Sequence, residues 1–259
     1  MVFRYANSGN MYDFLISNFK ELDWKNKLKH LIDVSNDLDR IHESGYVHCD
    51  FHSGNILLNQ YKIMMKSFVT DLGLSKSLKE SASKGEIYGV MPYIAPEILL
   101  GEEYTQAADI YSLGIIMSEL STGKRPFYGS PFDYELALKI CKGLRPGFSE
   151  KTPKCYIELA NQCMDSNPHN RPSAKQVSLK LLKWRRIVMK PRISNNEDSD
   201  IKKSFISANK EIKTTQIILP NFQNSLYTSR LINTKEIKLA YESVKFRDST
   251  ICDLNVSNI

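Results

Sequence analysis

The segment VHCDFHSGNILL at residues 47–58 constrains the fold of this chain more than any other stretch. It sets Cys, Asp, His, Ser, Gly and Asn between two apolar pieces, 46–48 and 55–58, that are typical of short β-strands. A third strand-like piece, 64–69, follows closely. Polar loops held by regular structure are a frequent setting for functional residues. We therefore expect the chemistry of this protein at this loop.

Most of the surrounding sequence has helical periodicity. Apolar residues recur at steps of three and four from Trp24 to Ile41, which predicts an amphipathic helix running from an N-cap at Asp23 to Glu43. The segment 106–120 is apolar nearly all round and predicts a buried helix. Further helices are predicted at 133–141, 154–164 and 173–187. These patterns indicate an α+β fold that is mainly α, with few short strands.

Composition excludes several classes of protein. The 259 residues include 42% hydrophobic and 25% charged residues, as in an ordinary globular chain. The net charge of +6 is small and scattered, so we predict neither a nucleic-acid nor a membrane partner. The five cysteines form no disulfide or zinc pattern, and residues 1–10 lack a signal-peptide layout, which favours a cytoplasmic location. The oligomeric state is left open.

A change of composition near Pro191 indicates a domain boundary. We expect one compact domain at 1–190 and a low-complexity, mostly disordered tail at 191–259, rich in Asn, Ser, Thr and Lys. Within this tail SNNEDSD has the character of a solvated linker, whereas 217–219 and 237–241 could form short local elements.

The order of polar residues in the loop resembles a known family. Asp50, Asn55 five residues later, and Asp71 in an Asp-Leu-Gly triplet resemble the catalytic loop and DFG motif of eukaryotic protein kinases. The resemblance implies ATP and Mg²⁺, with Asp50 as the base and with Asn55 and Asp71 as metal ligands. His52 stands where typical Ser/Thr kinases carry Lys and is a departure from the pattern of that family. The candidate catalytic residues are Asp50, His52 and Asn55.

Downstream motifs extend the resemblance. GVMPYIAPE, ending at Glu97, resembles the segment that closes the activation loop and holds the peptide substrate. The resemblance implies that Asp109 hydrogen-bonds the backbone of the catalytic loop and that Arg171 forms a buried ion pair with Glu97. It also implies that His48 lies beneath the Asp-Leu-Gly triplet, with Leu72 stacked on it.

The first residues, MVFRYANSGNMYDFL, resemble the hinge between the two lobes of a kinase. On this resemblance Phe3 is the gatekeeper, Arg4 and Ala6 offer backbone groups to adenine, Asn10 lies near the ribose and Leu57 forms the floor under the ring. No Gly-rich loop or strand lysine precedes the hinge in this sequence. The expectation is therefore a C-terminal (large) lobe without its small lobe, weak or inactive by itself.

Three functions follow as alternatives. The preferred one is a Ser/Thr protein kinase of the tyrosine-kinase-like group that acts on protein substrates in signal transduction. The second is a non-catalytic kinase-like module that docks a partner protein. The third, a small-molecule phosphotransferase, rests on His52 alone, and the segment ending in Ala95-Pro96-Glu97 argues against it.

Overall fold

The computed structural model describes residues 6–62, 64–77, 86–193, 195–214 and 224–244. The helices are α1 (Met11–Asn18), α2 (Trp24–Glu43), α3 (Pro96–Leu99), α4 (Gln106–Thr122), α5 (Tyr134–Cys141), α6 (Lys154–Cys163), α7 (Ala174–Met189), α8 (Asn196–Thr214) and α9 (234–244). The strands are β1 (Tyr46–Val47), β2 (Ile56–Tyr61), β3 (Met64–Val69), β4 (Lys76–Ser77), β5 (Glu86–Gly89) and β6 (Arg230–Asn233). Within these ranges no helix combines the length and the apolar character needed to span a bilayer.

Helix α2 confirms the predicted amphipathic helix and its cap. The Asp23 carboxylate accepts a hydrogen bond from the Asn26 backbone N–H at 2.8 Å, which satisfies a donor that the first turn leaves unpaired. The apolar face of α2 is buried from Trp24 to Leu38 and half-buried at Ile41, and it packs mainly against α7. Helix α7 begins at Ser173, which forms a reciprocal capping box with Gln176.

Helix α4 runs through the centre of the core, as its uniformly apolar sequence predicts. It packs closely on α6, and Gly114 makes this approach possible. A methyl group at Gly114 would lie 2.6 Å from Cγ of Met164 and 3.0 Å from the Ala160 carbonyl oxygen. Only a residue without a side chain fits at this crossing.

Three antiparallel strand pairs surround the polar loop. Strand β2 pairs with β3 from Ile56 opposite Val69 to Tyr61 opposite Met64, and β1 pairs with β4. Ile56 and Leu58 are buried, whereas Leu57 between them faces the other side of the strand and is half-buried. An isolated bridge joins Leu57 to Asn10, the N-cap of α1. The loop is thus fixed at both ends.

The expectation of a mostly disordered tail is wrong for the described residues after Pro191. The segment predicted to be a linker begins α8, and the Asn195 side chain accepts a hydrogen bond from the Asp198 backbone N–H at 2.7 Å. Helix α8 buries Phe205 against the rings of Trp24 and Trp184, at centroid distances of 5.5 and 6.2 Å. A single apolar stripe is enough to dock a helix of otherwise polar composition, and a composition average does not detect it.

The two short elements considered in the tail have different outcomes. Residues 237–241 lie within helix α9, as predicted, and Ile237 is buried. The segment 217–219 lies outside the described residues. Strand β6 was not predicted, and it pairs with β5 in the segment between Asp71 and Glu97.

Candidate active site

Asp109 on the buried helix α4 holds the backbone of the polar loop. Its carboxylate accepts hydrogen bonds from the backbone N–H groups of His48 and Cys49, at 2.8 and 3.2 Å, and from Nε2 of His42 at 2.8 Å. These are the loop contacts expected of Asp109. Cys49 has a positive φ of 69°, an uncommon backbone conformation that these hydrogen bonds hold. Burial raises the pKa of the Cys49 thiol to about 12, so it stays protonated at neutral pH.

Asp50 is the buried carboxylate at the centre of the loop. The Asn55 side-chain Nδ2 donates to its backbone carbonyl at 2.9 Å and to Oδ2 at 3.4 Å. The Ser229 hydroxyl donates to the same Oδ2 at 2.7 Å. Burial raises the pKa of Asp50, but the hydrogen bond and charge of His52 and the Ser229 hydrogen bond outweigh it, and the net pKa is lowered. Asp50 is therefore ionised at neutral pH and able to accept a proton.

His52 is oriented by its own loop. Its Nδ1 accepts a hydrogen bond from the Gly54 backbone N–H at 3.1 Å, so in the neutral ring the proton is on Nε2. That Nε2 lies 3.7 Å from Oδ2 of Asp50. His52 thus faces the carboxylate with a donor. A methyl group on Gly54 would approach the His52 ring within 2.7 Å, so glycine is needed beneath the ring.

Asn55 and Asp71 are connected through Thr70. The Asn55 backbone carbonyl accepts hydrogen bonds from the Thr70 N–H at 2.9 Å and from the Thr70 hydroxyl at 3.0 Å. Nε2 of His48 contacts the Thr70 carbonyl at 2.9 Å, which ties the loop to the residue before Asp71. Asp71 has a φ of 60°, and its carboxylate accepts from the Gly73 N–H at 3.2 Å. Asn55 and Asp71 are therefore held at the ends of adjacent strands.

These two side chains suit a divalent cation. Nδ2 of Asn55 is committed to Asp50, which leaves its Oδ1 as a ligand atom, and the Asp71 residue is exposed. Carboxylate and amide oxygens are ligands that Mg²⁺ accepts, and the ion commonly completes its shell with water and substrate phosphates. The described ranges contain no group of three or more His, Cys, Asp or Glu side chains that could hold a metal by itself.

Leu72 differs from the other structural residues in its exposure. His48 is fully buried, and its ring lies 5.6 Å from that of Phe51. Leu72 is 54% exposed, so it is not part of the core. The stacking of Leu72 on His48 remains a prediction.

The residues expected to bind the nucleotide are only partly described. Arg4 and the gatekeeper Phe3 lie outside the described residues. Ala6 is half-buried at the start of the described chain, and Asn10 caps α1 by accepting from the Asp13 N–H at 2.9 Å. The bridge between Asn10 and Leu57 places these two candidates side by side, on the half-buried face of β2.

Glu97 and Arg171 form the expected ion pair. Two parallel hydrogen bonds of 2.6 and 2.7 Å join the guanidinium to the carboxylate, and the Arg171 side chain is fully buried. The guanidinium also donates to the carbonyls of Asp165 and Ala107, at 2.8 and 2.9 Å. Charge-assisted bidentate pairs have strong geometric specificity. This pair fixes the segment that ends in Ala95-Pro96-Glu97 to the large helical core.

Sequence reasoning missed a second buried carboxylate behind the loop. Glu119 on α4 accepts hydrogen bonds from the Ser53 hydroxyl at 2.9 Å and from the Tyr93 hydroxyl at 2.8 Å. The network joins the loop, α4 and Tyr93 near the end of the segment 71–97, which corresponds to the activation segment of the family it resembles. An acidic residue in an otherwise apolar helix indicates a buried carboxylate that needs hydrogen-bond partners. This criterion was used for Asp109 and was not used for Glu119 on the same helix. Sequence reasoning also missed Ser229, for which no local pattern exists.

The contacts of Asp109 with the loop and of Arg171 with Glu97 are those that the resemblance to protein kinases implies. The sequence matches the family described as protein tyrosine and serine/threonine kinase over residues 1–181, and the chain belongs to that family.

Several curated proteins are similar to this chain. A probable serine/threonine-protein kinase of Dictyostelium discoideum is 30% identical over 182 residues, which is 70% of this chain and 11% of that protein. A second probable serine/threonine-protein kinase of the same organism is 33% identical over 174 residues, or 67% of this chain and 19% of that protein. A probable LRR receptor-like serine/threonine-protein kinase of Arabidopsis thaliana is 28% identical over 244 residues, which is 86% of this chain and 25% of that protein. The chain spans a quarter or less of each of these relatives.

Proposed function

We propose that this chain is a Ser/Thr protein kinase domain of the tyrosine-kinase-like group, which transfers the γ-phosphate of ATP to hydroxyl groups of protein substrates. The observation that carries this proposal is the 2.7 Å hydrogen bond from a serine hydroxyl, that of Ser229, to the buried carboxylate of Asp50. A base in this reaction must contact the acceptor hydroxyl and must be ionised. Asp50 is ionised, since its pKa is lowered, and its carboxylate is placed to accept a hydrogen bond from a hydroxyl.

The remaining side chains are assigned roles around Asp50. His52 supplies an N–H beside the carboxylate, and Asn55 fixes the Asp50 backbone while offering an oxygen to the metal. Asp71 is the second metal ligand. Bound Mg-ATP would supply the phosphoryl group and the positive charge that offsets its oxygens. Ala6, Asn10 and Leu57, with Arg4, are the proposed nucleotide contacts.

The chain alone is expected to be weak or inactive, so the test is transfer by the chain with a kinase small lobe joined to its N-terminus. The fused chain is incubated with Mg-ATP and a mixed pool of Ser- and Thr-containing peptides. Asp50→Asn keeps the side-chain shape and removes the base, so we expect transfer to fall by about 10²–10⁴-fold. Asp200→Asn, a substitution on the exposed surface of α8, is the matched control and should leave the rate unchanged.

Two outcomes would contradict the proposal. Equal rates for Asp50→Asn and the unmodified chain would show that Asp50 is not the base. Peptide binding with no transfer at any Mg-ATP concentration would favour the non-catalytic docking module. Thermal unfolding with and without Mg-ATP separates these cases, because a ligand that binds only the folded chain raises its stability.

A further inference from the structure

The C-terminal part of the chain pairs with the activation segment. Strand β6 runs antiparallel to β5, with Asn233 opposite Glu86 and Arg230 opposite Gly89. Strand β5 ends at Gly89, the first residue of the segment 89–97 that the resemblance assigns to holding the peptide substrate. Addition of a strand to an exposed edge is a common way to bind an extended peptide, because the backbone supplies the hydrogen bonds.

The register of this pairing determines which residue reaches Asp50. Gly89 lies beside the carboxylate, since a methyl group at that position would be 3.8 Å from Oδ1 of Asp50. Arg230 is the partner of Gly89, so the residue before it, Ser229, is at the carboxylate. A slip of one residue would reverse the faces of the strand and remove the hydroxyl from Asp50. The contact is therefore set by the backbone register.

Side chains on both sides of Ser229 anchor the segment. The Tyr227 hydroxyl donates to the Pro126 carbonyl at 3.0 Å, and its ring meets Phe132 edge-on at 4.7 Å. The Arg125 guanidinium lies 4.4 Å from the centroid of the Tyr227 ring, within the range of a cation–π contact.

On the other side of Ser229, Ile232 is buried against the core. The anchors hold an exposed serine residue against a buried base.

We propose that residues 226–233 occupy the peptide-substrate groove of their own chain and that Ser229 is an intramolecular phosphate acceptor. The inference rests on the proposed function. In the reaction Ser229 Oγ forms a bond to the γ-phosphorus of ATP while the bond from that phosphorus to the β,γ-bridging oxygen breaks. The hydroxyl proton passes to Asp50, and ADP leaves. The same segment excludes other peptides until it is modified.

Phosphorylation would also release the segment. The Ser229 hydroxyl lies 2.7 Å from Oδ2 of Asp50, a distance that leaves no room for a phosphate between the two groups. A phosphoserine also adds a charge of about −1.5 to −2 at pH 7, so the modified segment leaves β5. Ser229 thus opens the groove for other substrates once it has accepted a phosphate.

Hydrogen exchange tests the occupancy of the groove without ATP. We compare the exchange of backbone amides at 86–89 in the full chain and in Ser229→Glu, Tyr227→Ala and Ser243→Glu. The first two variants should speed exchange by about tenfold, because they repel or unanchor β6. Ser243→Glu adds the same charge on the exposed face of α9 and should change nothing. Equal protection in the unmodified chain, Ser229→Glu and Tyr227→Ala would overturn the proposal.

Phosphosite mapping tests the acceptor. The chain joined to a kinase small lobe, as in the test of the proposed function, is incubated with Mg-ATP. Phosphate is expected on Ser229 with a rate constant independent of chain concentration, as for an intramolecular reaction. Ser229→Ala should lose this phosphate, and Tyr227→Ala should phosphorylate added peptides faster than the unmodified chain. Transfer to added peptides with none to Ser229 would overturn the acceptor role and leave the proposed function intact. Transfer to neither would contradict the proposed function, and the exchange result would still decide occupancy.

Discussion

Arg171 and Glu97 are 74 residues apart in sequence and share two hydrogen bonds of 2.6 and 2.7 Å inside the core. The pair connects the activation segment to the loop before α7. The Arg171 guanidinium donates hydrogen bonds to the Glu97 carboxylate and to the backbone carbonyls of Asp165 and Ala107. A shift of the segment that contains Glu97 would therefore leave the buried charge of Arg171 unpaired.

The first prediction concerns this pair. Arg171→Ala leaves the partly buried Glu97 carboxylate without its partner. We therefore expect a loss in the free energy of unfolding at the lower end of the about 3–5 kcal/mol typical of a broken buried pair, measured by urea denaturation. Lys175→Ala is the control, because it removes an exposed pair with Glu43 at 3.7 Å and should cost no more than about 1 kcal/mol. Equal losses for the two variants would show that the buried pair contributes nothing special.

The second prediction concerns the crossing of α4 and α6. Gly114→Ala adds a methyl group 2.6 Å from Cγ of Met164 and 2.9 Å from Cβ of Cys163, which forces the helices apart. We expect a loss of about 1–3 kcal/mol in the free energy of unfolding from overpacking. Gly147→Ala is the matched control: its methyl group meets nothing within 4 Å, so thermal unfolding should show no destabilisation. A stable Gly114→Ala variant would mean that the crossing can relax.

The third prediction uses Lys27, which is buried with its Nζ 3.9 Å from the centroid of the Phe19 ring. Burial lowers the pKa of Lys27 from 10.5 to about 7, while the charge of Asp23 acts in the opposite direction. Between these two pH values the unfolded chain binds the proton and the folded chain does not. The free energy of unfolding should therefore rise with pH across that window, by up to about 1.4 kcal/mol per pH unit.

Lys27→Met isolates this contribution because methionine does not titrate. We subtract the free energy of unfolding of Lys27→Met from that of the unmodified chain, each measured by urea denaturation. This difference should rise from pH 7 to pH 10.5. Lys20→Met, at an exposed position, should show no such trend. A flat difference for Lys27→Met would show that Lys27 stays protonated in the folded chain.

The fourth prediction concerns Glu119 behind the catalytic loop. Burial raises the pKa of Glu119 above its usual value of 4.5, and the charge of Arg125, the hydrogen bonds from Tyr93 and Ser53 and the charge of His52 oppose it. Above pH 4.5 the unfolded chain loses this proton before the folded chain does. The contribution of Glu119 to the free energy of unfolding should therefore fall as pH rises from 4.5 through the raised pKa.

Glu119→Gln keeps the shape of the side chain and does not titrate. We subtract the free energy of unfolding of Glu119→Gln from that of the unmodified chain. This difference should fall across that pH window, by no more than about 1.4 kcal/mol per pH unit. The exposed Glu103→Gln should show no comparable slope. A rising difference would mean that the folded state favours the ionised carboxylate.

The local elements of this protein were predictable because their causes lie within a few residues. The helix from Asp23 to Glu43 follows from one cap and one apolar stripe, and the strand at 64–69 was predicted to the residue. The resemblance also implies that Asp109 contacts the loop backbone and that Arg171 contacts Glu97, and both contacts are present in the structure. The roles assigned to Asp50, His52, Asn55 and Asp71 in catalysis remain predictions.

Among the described residues after Pro191, the expectation of disorder fails at α8, where apolar residues are sparse. Phe205, Ala208 and Ile212 are buried on one face of α8, and most of their neighbours in sequence are polar. An average over the segment therefore indicates disorder, whereas docking on α2 and α7 requires only that one face. The apolar stripe needed a partner surface that sequence composition does not describe.

The sequence by itself determined helices α2, α4, α5, α6 and α7, the Asp23 cap and the motif residues around Asp50, because hydrogen bonds within a turn and apolar periodicity act over short separations. Only the tertiary structure decided that Glu119 bonds Ser53 and Tyr93, and that Ser229 contacts Asp50 across 179 residues. Such contacts depend on helix packing and on the register of β5 with β6. These contacts form between residues far apart in sequence and only after the chain has folded. No local sequence pattern therefore predicts them.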